Sequence, residues 1–347
     1  MKISKKYSVF VLLALLISLP FFSYDPGSAE DLFRHYWRYE AFASTNDFNY
    51  LAEYKGLSLL IYSFVTLGLP KQILAVLTSF LVILSMSSIA TRYIQIKKLS
   101  SLFLVFISLI ILPYFILVSG VRFGISTAFF IFGCYQLIYA NKIKSIILFF
   151  CSIIVHVTFI IPIFILLLAN YLVIKRNIAT LLFCLLLTLS FITPYFQDKL
   201  IFFVQHLGVE RLIGSHYEVY FFGDWGSGYY ARLPFSGKSA YLIKKILTYT
   251  AFLAFIVNFK LNYRHLLDRF VVLFLLYLAV TACFGQLSDR FEPLALYFMF
   301  SLVVVKWNGK LKGTFTEWFL ILVIIIRFLL DFWGYRIQYL DLATSFL

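Results

Sequence analysis

Two arginines and a histidine interrupt long apolar stretches of this sequence, and their side chains suit phosphate chemistry. Arg122 lies in "FILVSGVRFGIST", His156 in "CSIIVHVTFIIP" and Arg290 in "FGQLSDRFEPLA". A guanidinium group binds phosphate oxygens in a bidentate way, and an imidazole near neutral pH accepts a proton or donates a hydrogen bond. The letters "RFGISTAFF" also predict a helix start, whose free N–H groups favour anions. The three residues therefore favour a phosphate-bearing ligand.

Each of these residues also has an ordinary structural explanation. Arg122 could be an interfacial arginine that extends its charge to water. His156 could be a hydrogen-bonded structural histidine. Arg290 lies at a predicted turn between helices 270–287 and 293–306, with carboxylates beside it, and could form a local ion pair there. The residue types alone leave these alternatives open.

By composition, the elements that hold these residues are membrane helices. The chain has 347 residues, of which 62% are hydrophobic and 13% are charged. A soluble domain of this length needs more charges to cover its surface. Apolar runs of roughly 17 to 25 residues recur, which is the length that crosses a hydrocarbon core of ~30 Å. The runs are continuous rather than alternating, so the predicted fold class is all-α, a polytopic helical membrane protein.

The formal net charge of +14 has a membrane explanation rather than a nucleic-acid one. Many Lys and Arg residues fall in short clusters between apolar runs, which is typical of cytoplasmic loops. These clusters lie at residues 2–6, 97–98, 142–144, 175–176, 260–269 and 306–312. The cysteines lie inside apolar runs without the spacing of a metal site or a disulfide framework, so neither a metal nor a cofactor is expected.

Placing every basic cluster in the cytoplasm predicts about eleven crossings within a single membrane domain, 1–347. The run at 56–70 is short for a span and favours an interfacial or re-entrant helix, which gives about 11–12 helices in all. The run at 145–174 lies between two basic clusters. It predicts two short helices that turn near 156–162, where Pro162 removes a backbone donor.

The same scheme places the loops 24–55 and 196–238 on the outer side, together with the turns that hold Arg122, His156 and Arg290. Both loops are rich in aromatic and acidic side chains. Aromatic faces stack on sugars while polar groups bind hydroxyls, although the same composition suits an interfacial aromatic belt. Basic residues and aromatic loops on one face favour a lipid-linked phosphate substrate over a small ion.

The stretch "SGVRFGISTAFFIFGCYQLIYANKIKSIILFFCSIIVHVTFIIP" resembles the core of the EpsG/Wzy-type polysaccharide polymerases. The shared pattern is a turn with Arg before a small-residue helix, then a basic hairpin, then an apolar helix that ends in His. "AEYKGLSLLIYSF" before it and "DRFEPLALYF" after it fall where that family has similar elements. Arg122 and Gly133 have an Arg-x10-Gly spacing similar to one in such polymerases. The resemblance covers most of the chain in order.

The resemblance implies a metal-independent membrane glycosyltransferase with a GT-C-like fold. Such enzymes join repeat units of O-antigen, capsule or exopolysaccharide on the periplasmic face of the bacterial inner membrane. The donor is a growing glycan and the acceptor is the next repeat unit, both carried on undecaprenyl pyrophosphate. The implied partners are these two lipid-linked glycans and membrane lipid, with a chain-length regulator as a further candidate and no nucleic acid.

The resemblance also gives the polar residues roles in this sequence. Arg122 would hold the pyrophosphate and stabilise the leaving group, and Arg290 would be a second phosphate contact. His156 would be a base or a phosphate contact. The residues expected to shape the sugar site are Asp31, Arg34 and Glu53.

Two other functions remain open. A lipid-linked oligosaccharide flippase, or transporter, needs alternating access and usually has repeated halves, and no internal repeat is evident in this sequence. A membrane O-acyltransferase that acts on surface sugars would also use a buried histidine. His156, however, has no polar cluster on its own span.

Overall fold

The computed structural model describes residues 5–27, 31–51, 55–93, 121–139, 141–192, 235–262, 265–307 and 313–335, with short stretches between 103 and 120. Within these residues the regular secondary structure is helical, which confirms the all-α prediction for the described part of the chain. The chain divides into two compact units. The first comprises 1–163, 308–310 and 331–347, and the second comprises 164–307 and 311–330. The prediction of a single membrane domain stays a prediction.

In chain order the α-helices are α1 (Lys5–Ser18), α2 (Asp31–Thr45), α3 (Lys55–Thr66), α4 (Ile73–Tyr93), α5 (Val121–Tyr139), α6 (Lys142–Val155), α7 (Ile160–Leu168), α8 (Arg176–Ile192), α9 (Phe235–Asn258), α10 (Leu266–Thr281), α11 (Gly285–Trp307) and α12 (Phe315–Gly334). Short 3-10 turns lie at Leu19–Phe22, Phe48–Leu51 and Val157–Phe159. Helices α1 to α6 belong to the first unit and α8 to α11 to the second.

Helix α2 occupies the segment that was predicted as the outer loop 24–55. Its buried residues recur every three or four positions, as on the apolar face of an amphipathic helix. They are Leu32, His35, Tyr36, Tyr39 and Phe42. The apolar members pack in one core with side chains from α3, α4 and α5. The loop prediction missed this helix because polar residues on its exposed face hide the apolar pattern.

Helices α5 and α6 form a closely packed antiparallel hairpin. Asn141 caps α6, because its side-chain oxygen accepts hydrogen bonds from the backbone N–H groups two and three residues later, at 2.9 and 3.2 Å. The hydroxyls of Ser126 and Ser152 each donate to the other residue's carbonyl oxygen, at 3.0 and 2.8 Å. A Cβ added at Gly133 would lie 2.5 Å from the Phe149 ring, so a larger residue here would have to displace that ring. The start of α5 therefore lies beside the end of α6.

The predicted interruption between 145 and 174 is confirmed, but its position differs from the proline. The helix breaks at His156, whose backbone is extended at φ −148° and ψ 106°. A 3-10 turn follows and leads into α7. Pro162 lies in the first turn of α7, where a backbone N–H needs no partner within the helix. The proline is thus compatible with α7 and does not cause the break.

The predicted turn around Arg290 is wrong. Helix α10 ends at Thr281 and α11 begins at Gly285, so Arg290 lies inside α11, and Pro293 also lies within this helix. The polar letters "SDRFEP" indicated a loop. In the structure Glu292 is buried and Asp289 is half-buried, and ion pairs hold both carboxylates within the second unit. A buried ion cluster can thus resemble a turn in sequence.

Two of the described helices are long and apolar enough to cross a membrane, Val121–Tyr139 and Gly237–Asn258. Shorter apolar helices accompany them, and several expose large apolar side chains. On α6 these are Ile143, Ile146, Ile147, Phe150 and Ile154. Such a continuous apolar surface needs a covering, and a bilayer provides one. The number of crossings predicted from the charge pattern stays a prediction.

Candidate functional site

Arg122 is the second residue of α5, half-buried, and lies near the start of α2. The evidence for this proximity is His35 of α2, which is 5% exposed. Burial lowers the pKa of His35 to about 3, and the charge of Arg122 is the next largest cause. Asp31 opposes the shift, while Arg38 and Arg34 add to it. His35 of α2 thus lies within reach of the charge of Arg122 at the start of α5.

His156 lies at the same end of the α5–α6 hairpin. It is 8% exposed, and its Nδ1 lies 2.8 Å from the hydroxyl of Thr158. Its ring meets that of Phe123 edge-on at 5.6 Å between centroids, and that of Phe159 at 6.4 Å. Because Phe123 follows Arg122 in α5, Arg122 and His156 lie at the same end of the α5–α6 hairpin. These contacts also fix the orientation of the imidazole.

The residues predicted to shape the sugar site have different outcomes. Asp31 and Arg34 form an ion pair with each other on the exposed side of α2. The same turn of α2 contains His35, so this pair lies at the edge of the Arg122 neighbourhood. Glu53 lies outside the described residues. The roles of all three in sugar binding stay predictions.

Arg290 belongs to the second unit, where it is half-buried in α11. Its neighbours Asp289 and Glu292 form ion pairs with Lys245, which lies on α9. Arg122 and Arg290 lie in different units, and a shared phosphate ligand stays a prediction.

A buried ion network in the second unit was not anticipated from the sequence. The Lys245 ammonium lies 2.9 Å from Asp289 and 2.5 Å from Glu292. The other oxygen of Glu292 accepts a hydrogen bond from Arg327 at 2.7 Å, and Arg327 also donates to Thr248 at 2.6 Å. Among the described residues this network joins two cations to two carboxylates, whose charges balance. The signal that could have revealed it is the lysine pair inside the apolar run "YLIKKILTYT", because charges in such runs seek partners or a function.

The part of the chain that the structure describes contains no evident set of metal ligands. No group of three or more His, Cys, Asp or Glu side chains converges there closely enough to hold an ion. The His35 and His156 neighbourhoods are instead rich in arginine and aromatic side chains. Such surroundings suit an anion better than a cation.

Comparison with known proteins decides the family. The model of the EpsG family matches residues 5–343, nearly the whole chain. The chain belongs to the EpsG family. No curated protein matches it, and neither does any solved structure. Membership in the EpsG family confirms the resemblance seen in the sequence and supports a role in polysaccharide polymerisation by a membrane protein.

Proposed function

We propose that this EpsG-family protein joins oligosaccharide repeat units carried on undecaprenyl pyrophosphate, on the periplasmic face of the inner membrane. The observation that carries the proposal is the concentration of arginines at the start of α5, where the fields of Arg122, Arg38 and Arg34 act on one buried site. Guanidinium groups bind phosphate oxygens in a bidentate way, so these arginines suit a pyrophosphate. The long apolar helices accord with a substrate that remains in the membrane.

The chemistry requires stabilisation of a leaving group. In glycosyl transfer from a lipid pyrophosphate, an acceptor hydroxyl attacks the anomeric carbon, the bond to the phosphate oxygen breaks, and the hydroxyl proton goes to a base. Negative charge grows on the departing pyrophosphate. Arg122 and the free N–H groups at the start of α5 would stabilise that charge. His156 would accept the proton or hold the phosphate.

The remaining assignments complete the proposal. Arg290 would be a second phosphate contact, and Asp31, Arg34 and Glu53 would shape the sugar site. The fold would be GT-C-like, and the chain would need no metal. His35 would also contribute to the site, because its lowered pKa keeps the imidazole neutral beside the arginines. A neutral imidazole can donate one hydrogen bond to a phosphate or a sugar hydroxyl.

The test is the length distribution of the polymer in cells that express Arg122→Ala. We expect loss of long chains and accumulation of single repeats, because removal of one group that stabilises a developing charge typically costs roughly 10²-fold or more in rate. Arg122→Lys retains the charge without the bidentate fork and should restore only part of the activity. A normal ladder of chain lengths in Arg122→Ala cells would refute the assignment.

A matched control is Arg176→Ala. Arg176 also begins a helix, α8, but it lies in a basic cluster predicted to be cytoplasmic, and it should leave chain length unchanged. A deletion strain separates the polymerase from a flippase. Single repeats exposed on the outer leaflet support the polymerase, whereas repeats retained on the cytoplasmic leaflet support the flippase.

A further inference from the structure

The second unit contains a cavity of about 570 Å³ between α8, α9 and the turn from α10 to α11. This volume lies within the usual range for small-molecule sites. The wall is formed largely by apolar side chains, among them Phe183, Leu187, Phe191, Leu242, Ile246 and Leu253. The cavity lies along the C-terminal half of α8 and the middle of α9.

One wall of the cavity is open toward the apolar outer surface of the unit. Leu242, Ile246 and Phe191 line the cavity and are themselves exposed. Neighbouring outer positions such as Leu181 and Leu185 are also exposed and apolar. An apolar surface of this kind suits lipid, so a hydrocarbon chain in the surrounding bilayer could enter the cavity from the side without crossing water.

The polar part of the wall is already neutralised. Lys245 lines the cavity with its ammonium 5.3 Å from the Tyr241 ring centre and 5.8 Å from that of Tyr249. Asp289 and Glu292 balance its charge. An anionic headgroup at this place would compete with two carboxylates that already form ion pairs with Lys245. The cavity therefore suits the uncharged part of an amphipathic ligand.

We propose that this cavity holds the hydrocarbon chain of the polyprenyl carrier on a lipid-linked substrate. The proposal rests on the proposed function, because that function supplies a substrate with a long apolar chain. The apolar lining, the lateral opening and the neutralised wall are what such a chain requires. The proposal concerns the hydrocarbon chain only, and the phosphate of the carrier would lie outside this cavity.

The native cysteines allow a test on the unmodified full-length chain. Cys184 and Cys283 line the cavity, whereas Cys151 lies in α6 of the first unit. The protein is placed in phosphatidylcholine nanodiscs, reacted with N-ethylmaleimide, and the modified peptides are quantified by mass spectrometry. Three additives are compared: a polyprenyl phosphate, the corresponding polyprenol and phosphatidylglycerol.

We expect both polyprenyl compounds to abolish most of the labelling at Cys184 and Cys283 and to leave Cys151 unchanged. Equal protection by phosphatidylglycerol would overturn the proposal in favour of ordinary lipid. Protection by polyprenyl phosphate without protection by polyprenol would overturn the assignment of an uncharged chain. Unchanged labelling with every additive would exclude occupation of the cavity.

A pair of adjacent variants sharpens the test. Leu242 is 48% exposed and lines the cavity, while Ile243 is 49% exposed and does not. Leu242→Trp should fill the opening and weaken the protection of Cys283 by polyprenol several-fold, whereas Ile243→Trp should leave it as in the wild type. Equal protection in both variants would argue against entry at this opening.

The outcome is separable from that of the proposed function. Arg122→Ala should lose long polymer and keep the protection of Cys184, because Arg122 is not part of the cavity lining. If Arg122→Ala keeps long polymer and polyprenol still protects Cys184, the role of Arg122 is refuted and the cavity assignment stands. If Arg122→Ala loses long polymer but polyprenol does not protect Cys184 in the wild type, the cavity assignment is refuted and the role of Arg122 stands.

Discussion

The two units surround positive charge in different ways. In the second unit, Lys245 and Arg327 face Asp289 and Glu292, and each cation bonds directly to a carboxylate. Among the described residues of the first unit, burial and then the charges of Arg122, Arg38 and Arg34 lower the pKa of His35, while Asp31 raises it. In a network where each cation has a carboxylate partner, the charges neutralise one another within the protein. Several arginines near one site instead favour a negatively charged ligand. The comparison separates a structural cluster from a candidate anion site.

The largest effect on stability is expected where the charges balance. Glu292→Gln removes the carboxylate that joins Lys245 to Arg327 and leaves two buried cations with too little negative charge. Breaking such a buried pair costs about 3–5 kcal/mol. Chemical unfolding of the detergent-solubilised protein measures this loss.

The matched control for that change is Glu40→Gln. Glu40 pairs with Lys71 at 2.6 Å, but its side chain is well exposed, and an exposed pair contributes about 0–1 kcal/mol. Equal losses of unfolding free energy in the two variants would show that the buried network stabilises the second unit no more than an exposed ion pair does.

The pH dependence of stability tests the first unit. The pKa of His35 is about 3 in the folded state and 6.5 in the reference state, so between these values the unfolded chain binds the additional proton. Stability from this group is therefore complete above pH 6.5 and declines as the pH falls toward 3. His35→Gln should flatten the stability profile in that window. A wild-type profile that is level from pH 7 to 4 would contradict the burial of a neutral imidazole.

A smaller effect should identify the neighbour of His35. Arg122 is the largest charge-based cause of its lowered pKa, after burial itself. Arg122→Gln should therefore raise the pKa of His35, and NMR titration of labelled histidine in the solubilised protein measures the change. Arg176→Gln, at the start of α8, should leave that pKa as it is. If the pKa of His35 is the same in the wild type, Arg122→Gln and Arg176→Gln, the start of α5 does not lie beside α2.

Much of the fold followed from the sequence, because apolar runs and basic clusters constrain helices one at a time. The helix start at Arg122, the interruption near His156 and the family likeness are all local features of consecutive residues. The site is different, since it depends on contacts between distant segments. No spacing rule relates His35 to Arg122, and polar letters around Arg290 look alike whether they form a turn or a buried cluster.

The smallest expected effect is also the most discriminating for the first unit. Asp31 raises the pKa of His35 and forms an exposed ion pair with Arg34. Asp31→Asn should change stability by less than about 1 kcal/mol. If Asp31 only moderates the positive field, the variant should bind a lipid pyrophosphate donor as well as the wild type or more tightly. If Asp31 shapes the sugar site, its loss should slow chain extension with no gain in donor binding. Measurement of donor affinity and chain length on the same preparation separates a residue that limits charge from one that contacts sugar.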